Sequence, residues 1–171
     1  MTGKFARLED RGIVAVSGAE AGHFLQGLQT ANIDRVAETG SGFGALLTPQ
    51  GKILFDFLIL HVDGLFLIDL PLDSVAEFAK RLGFYKLRAK VEIAARSDLV
   101  VLAGFDGPAP TGVVAAASDP RLAALGWRAV AEAACSGRPD GDRGRRLAGA
   151  PDRAWRAGSA AGLRLWRRLS A

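Results

Sequence analysis

Residues 47–60, Leu-Thr-Pro-Gln-Gly-Lys-Ile-Leu-Phe-Asp-Phe-Leu-Ile-Leu, constrain the fold more than any other stretch of the chain. A Pro-Gln-Gly-Lys turn separates two apolar runs, the layout of a β-hairpin. In the second strand Ile53, Phe55, Phe57 and Ile59 point to one face, and Leu54, Leu58 and Leu60 to the other. A strand apolar on both faces is covered on both sides. Asp56 interrupts the second face, and a carboxylate buried there must be paired, hydrogen-bonded or met by a ligand.

The rest of the chain supplies elements to cover that strand. Gly12 to Val16 is a short strand rich in β-branched residues. Ser17-Gly18-Ala19-Glu20 has the form of a capping box, and Ala21, Phe24, Leu25 and Leu28 follow at helical spacing, with Thr30-Ala31-Asn32 closing the helix. Gly42 to Leu47 is a strand feeding the central turn. Asp63-Gly64 is a second hairpin tip, with Leu65 to Leu70 as the returning strand. Asp73 is placed to cap a helix whose apolar face is Val75, Phe78, Ala79 and Leu82. Residues 86–93 alternate, with Leu87, Ala89, Val91 and Ile93 inward. Leu99 to Gly104 is a buried strand, 106–112 a loop, Val113 to Ala117 a weak strand, and Trp127 to Val130 a further one. This order predicts an α+β fold, a mainly antiparallel sheet with helices packed on one face.

At 171 residues and 49% hydrophobic, the chain is long enough for one sizeable core. One cysteine excludes a disulfide framework and a cysteine-based metal site, and two histidines without clustered carboxylates argue against any metal centre. The cysteine usage, the lack of a signal-like apolar start and the lack of any run of transmembrane length predict a cytoplasmic protein without a membrane partner. Charge is unevenly spread. Residues 1–135 carry 13 Lys/Arg and 15 Asp/Glu, whereas residues 136–171 carry nine Arg and three Asp. All the basicity therefore lies in the tail, and a whole-protein case for nucleic-acid binding fails.

Five blocks occur in an order that resembles a known family. They are Arg11-Gly12-Ile13 through Ser17-Gly18; Phe24-Leu25-Gln26-Gly27 with Thr30; Leu46 to Lys52; Tyr85 to Val91; and Asp119-Pro120-Arg121 with Leu125-Gly126-Trp127-Arg128. Over residues 11–131 they resemble the YgfZ family, folate-binding relatives of the glycine-cleavage T-protein (aminomethyltransferase). The resemblance implies a tetrahydrofolate-binding fold with a bound tetrahydrofolate and no metal. It also implies a role in maintaining iron–sulfur proteins, its clients, including enzymes that modify tRNA. In the T-protein, neighbouring aspartates in the matching strand face the folate; Asp56 matches the second, and Phe55 replaces the first, which argues against aminomethyl transfer. The family's Lys-Gly-Cys, aromatic, Gly-Gln-Glu motif is absent, and Cys135 in Ala-Ala-Cys-Ser-Gly shares none of its context.

Asp56 is the expected folate contact, since a carboxylate accepts from the pterin's amino and ring N–H donors together; the competing reading is a satisfied structural carboxylate. Thr48 and Gln50 are expected to line the same site. Lys52 and Arg88 are candidates for the folate's glutamate carboxylates, against the plain reading of solvated surface cations. No nucleophile with an activating base is visible, so the chain leans towards an accessory factor rather than an enzyme. The organisation expected is a T-protein-like folate-binding region over 1–104, the start of the family's second segment over 105–135, and an Arg-rich tail over 136–171. Read one nucleotide later, the tail's codons can spell a segment like the family's Arg-Ile-x-x-Gly-x-Pro, so an out-of-frame peptide and a truncated protein are expected. The other readings are a true aminomethyltransferase, or an RNA-binding protein acting through a genuine disordered basic tail.

Overall fold

The computed structural model describes residues 5–105 and 107–134, all within one compact unit. The tail read as out of frame, and Cys135, lie outside the described residues. The elements run β1 (Phe5–Leu8), β2 (Arg11–Ser17), α1 (Ala21–Gln26), α2 (Ile33–Thr39), β3 (Ser41–Leu47), β4 (Ile53–Val62), β5 (Leu65–Pro71), α3 (Val75–Lys86), β6 (Glu92–Ala95), β7 (Leu99–Gly104), β8 (Ala115–Ser118) and β9 (Trp127–Glu132). They form two antiparallel sheets, one of five strands in the order β3-β4-β5-β2-β6 and one of four in the order β1-β7-β9-β8.

Strand alternation decides what covers each face of the five-stranded sheet. Phe57 and Ile59 of β4, Val14 and Val16 of β2, and Phe66 and Ile68 of β5 are buried with Phe24, Leu25, Ile33, Val36, Phe78 and Leu82 of the helices. Phe78 is the centre of that layer: its ring meets Phe55 edge-on at 5.4 Å and Phe57 at 5.1 Å. On the opposite face Ile13, Ala15, Leu60 and Leu67 are buried with Leu99, Val101, Ala115 and Val130 of the four-stranded sheet. From Phe57 to Leu60 the central strand is thus covered on both sides, as its composition requires. The α+β class stands, with a second sheet as the other cover.

The Asp63-Gly64 hairpin has positive φ at both tip residues, 47° and 79°, the geometry that makes Asp-Gly favoured there. Elsewhere local signals yielded to tertiary contacts. Ser17 is buried at the end of β2, and Glu20 precedes α1 without a side-chain cap, because its carboxylate accepts from the Lys90 amide instead. The chain expected to leave the helix at Thr30 starts a second one, α2, capped by Asn32 accepting from the Arg35 amide. Asp73 lies in a 3-10 turn, and the N-cap position of α3 falls to Ser74, with no side-chain cap bond.

The alternation over 86–93 is the largest departure. The α3 helix continues to Lys86, Leu87 takes a positive φ of 44°, and its side chain is 88% exposed. Only Glu92–Ala95 pairs as a strand, against β2. Apolar spacing of two over so short a run did not outweigh the helix already in progress. Phe78→Ala is therefore expected to destabilise the protein by about 3–5 kcal/mol. Leu87→Ser is expected to stay within about 0.5 kcal/mol of the parent. Urea unfolding midpoints of the two variants check the contrast.

Candidate functional site

The β3–β4 turn is built by its own backbone. The Thr48 amide donates to the Lys52 carbonyl at 2.7 Å, and the Gly51 amide to the Thr48 carbonyl at 2.9 Å. The Thr48 hydroxyl accepts from the Lys52 amide at 3.1 Å, so it stiffens the turn as well as edging it. Gln50 and Lys52 are exposed. Asp56, opposite Ala45 in the β3–β4 register, is exposed as well. Thr48, Gln50, Lys52 and Asp56 therefore share one end of the five-stranded sheet. The expectation that Asp56 is buried fails: burial of β4 begins at Phe57, and its pairing with β5 begins only at Leu58, opposite Asp69.

Arg88 does not join them. It follows α3 and precedes β6, which starts opposite Ser17, the last residue of β2. The turn at 48–52 lies beyond the other end of the sheet, the end where Arg11 of β2 meets Pro71 of β5. The edges differ too, since β3 and β6 are the two outer strands. Arg88 is exposed on the opposite edge and towards the opposite end. An open groove of about 240 Å³ lies near it, lined by Glu20, His23, Phe24, Gly27, Leu28 and Ala89, and includes none of the expected folate residues.

The buried carboxylate is Asp69, fully shielded on β5. Arg11 Nε donates to its Oδ1 at 2.6 Å, Arg11 Nη2 to its carbonyl at 2.8 Å, and Arg128 Nη1 to its Oδ2 at 3.2 Å. Asp119, also buried, accepts from Arg121 Nε at 2.9 Å and Nη2 at 2.7 Å, and lies 3.5 Å from Arg128 Nε. Arg128 thus joins two carboxylates, Asp69 on β5 and Asp119 in the loop after β8. Gly126 makes the loop possible: its φ is 75°, its carbonyl accepts from the Asp119 amide, and a Cβ there would collide with the Gly104 carbonyl.

Burial pushes the Asp69 carboxyl up, against the pull of the Arg11 and Arg128 charges. Burial opposes the charge on Asp119 too, yet the hydrogen bonds from the Arg121 side chain and amide outweigh it and hold the carboxyl below its ordinary range. Arg121, with its side chain 38% exposed, is the most open of the three arginines and feels the charge of Asp56. Asp56 and Arg121 together offer solvent an acceptor and a donor at the edge of a rigid charged layer.

These residues were passed over in the sequence, though signals existed. Arg11, Asp119, Arg121 and Arg128 all sit in the family-like blocks, and Asp69 is the one charge inside the apolar run 65–70. The buried and paired carboxylate expected at Asp56 is found at Asp69 instead.

No family model matches the chain. It is 34% identical over 138 residues to "Iron-sulfur cluster assembly factor IBA57 homolog, mitochondrial" of Pyricularia oryzae, covering 74% of this chain and 35% of that protein. Proteins of the same name in Neurospora crassa and Mycosarcoma maydis are each 31% identical, over 161 and 153 residues, with 80% and 78% of this chain covered and 36% and 37% of theirs. The chain spans about a third of the length of these relatives. Among solved structures, a glycine cleavage system aminomethyltransferase T from Bartonella henselae superposes with a TM-score of 0.52 at 18% identity, over 58% of this chain and 27% of that one. The chain is therefore similar in sequence to part of these iron–sulfur cluster assembly factor homologues, and in fold to part of the aminomethyltransferase. The expected cytoplasmic location is overturned, since the relatives are named as mitochondrial proteins. A single cysteine speaks for a reducing compartment, and that does not single out the cytosol.

Two outcomes test the charged layer. Asp69→Asn leaves Arg11 and Arg128 without their counter-charge and is expected to cost about 3–5 kcal/mol in denaturant unfolding. Because Asp119 has a depressed pKa in the fold, its contribution is present above the ordinary carboxylate value of about 3.9 and is lost as pH falls. Asp119→Asn is expected to flatten the acid side of the stability–pH profile, and an unchanged slope would refute that role.

Proposed function

We propose that this chain is the two-sheet portion of an accessory factor for iron–sulfur cluster assembly, and that it holds a tetrahydrofolate against the end of the β3–β4 hairpin. The observation that carries the first part is the 34% identity over 138 residues to a protein named as such a factor. The second part rests on the donor set at the hairpin. Exposed Asp56 is an acceptor for the pterin's amino and ring N–H groups, and Arg121 is a neighbouring donor. Lys52 and Gln50 stand on the adjoining turn, with Lys52 a cation for the glutamate end and Ile53 beside it an exposed apolar surface. The bound folate would supply a reduced pterin and one-carbon carrier; these residues bind and orient it. Arg88 lies too far round the fold to share in that site.

Aminomethyl transfer is the weaker reading. Phe55 points to the helical face, edge-on to Phe78, while Asp56 points away from it, so the two positions do not present a pair of groups to one ligand. Iron–sulfur proteins, tRNA-modifying enzymes among them, are the clients this reading assigns.

Calorimetric titration with tetrahydrofolate tests the site. Asp56→Ala is expected to weaken binding roughly ten- to hundredfold, the value of one charge-assisted hydrogen bond. Arg88→Ala is expected to leave it unchanged. Equal affinity of the parent and Asp56→Ala, or no binding by the parent, would remove the hairpin from the function. The assembly role is tested separately, by whether the protein restores iron–sulfur enzyme activities in cells that lack it.

A further inference from the structure

The end of α3 and the loop after it carry a feature that neither the core nor the hairpin site uses. Leu87 is 88% exposed, Phe84 68% and Tyr85 45%, three large apolar side chains within four residues. Phe78 and Leu82 turn inward from the same helix, which leaves Phe84 on its outer side, one turn after exposed Lys80. Leu87 stands clear of the helix end through its positive φ. These side chains form a protrusion; the nearest groove lies beside Ala89 and contains none of them.

A basic collar surrounds the protrusion. Residues 78–91 contain Lys80, Arg81, Lys86, Arg88 and Lys90 and no carboxylate. Arg81 pairs loosely with Glu77 at 3.7 Å, and Lys80, Lys86, Arg88 and Lys90 have no ion pair among the described residues. The carboxylates bordering the collar are Glu77, Glu20 and Glu92, so the surface stays net positive when they are counted. Exposed apolar side chains normally draw a cover, and unpaired cations around them select an anionic one.

We propose that this end of α3 docks peripherally on an anionic membrane surface, with Phe84, Tyr85 and Leu87 entering the headgroup boundary and Lys80, Lys86, Arg88 and Lys90 meeting lipid phosphates. A convex apolar tip with a cationic rim suits a deformable interface, whereas a protein partner would need to supply a matching pocket, and the aliphatic Leu87 has nothing to stack on in a nucleic acid. No described helix is long and apolar enough to cross a membrane. The expectation of no membrane partner rested on the lack of such a run, which does not bear on surface binding.

Co-sedimentation of the full chain with vesicles tests the proposal, using phosphatidylcholine alone and phosphatidylcholine with cardiolipin. Binding is expected to the cardiolipin vesicles only and to weaken as salt rises. The triple variant Lys86→Gln, Arg88→Gln, Lys90→Gln is expected to lose about a hundredfold in partitioning. The double variant Phe84→Glu, Leu87→Glu is expected to lose at least about tenfold. Phe84, Leu87, Arg88 and Lys90 are exposed and Lys86 is half-buried, so thermal unfolding of the variants should match the parent and separate lost binding from lost folding. The Arg-rich segment 136–171 stays intact in every variant. Undiminished vesicle binding by the variants would therefore assign the affinity to that segment and overturn the proposal. Absence of vesicle binding, with or without binding to an RNA or an acidic peptide, would overturn it as well.

Discussion

Asp69 has no access to solvent, and its charge is met by Arg11 from its own sheet and Arg128 from the other. An isolated carboxylate in that position would cost many kcal/mol. The two sheets therefore have to approach in a register that delivers both guanidinium groups, and Arg128 passes the constraint on to Asp119 and Arg121. Hydrophobic burial between the sheets is non-directional and would tolerate some sliding. The ion network would not. Its stabilising value relative to an apolar core is modest; what it supplies is one fixed alignment, and with it a fixed place for Arg121 against Asp119.

That division explains which parts of the sequence were legible. Strands with a strong apolar pattern, such as those around Ile13, Phe57 and Ile68, formed where the pattern placed them, because their burial is decided by alternation alone. The Asp63-Gly64 turn was equally plain, since backbone sterics select it. Errors arose where a side chain had a choice of partner. Glu20 suits a helix cap, but the Lys90 amide, 70 residues on, took it. Gln26, the last residue of α1, accepts from the Ile33 amide and so ties the start of α2 to it, a contact that helical spacing does not reveal. Leu87 fitted an alternating strand and became a protruding loop residue. Of the expected site residues, the hairpin four lie together because they are close in sequence, and Arg88 lies apart from them, at an end of the sheet that only the strand order reveals.

The two exposed features thus sit far apart and differ in character. The hairpin end carries a polar donor set backed by a rigid charged layer, and rigidity favours recognition of a small, shaped ligand. The α3 end carries apolar bulk and long cationic side chains, four of them without an ion pair among the described residues, which favours an extended and adaptable surface. The two roles proposed for these ends, holding a small ligand and docking on a lipid surface, need both kinds of surface, placed so that neither obstructs the other.

The alternation at Phe55 and Asp56 bears on how such a fold separates binding from catalysis. Successive strand residues face opposite ways, so a pair of adjacent acids in β4 would offer one carboxylate to the face of Leu58 and Leu60 and send the other towards Phe78. Phe55 instead makes that inward position apolar and seals the helical layer around Phe78. Restoring an acid there would bury a charge against an aromatic cluster, which is unfavourable without a partner. The core packing of this chain therefore leaves Asp56 as the one carboxylate of the Phe55–Asp56 pair of positions, on the face away from Phe78.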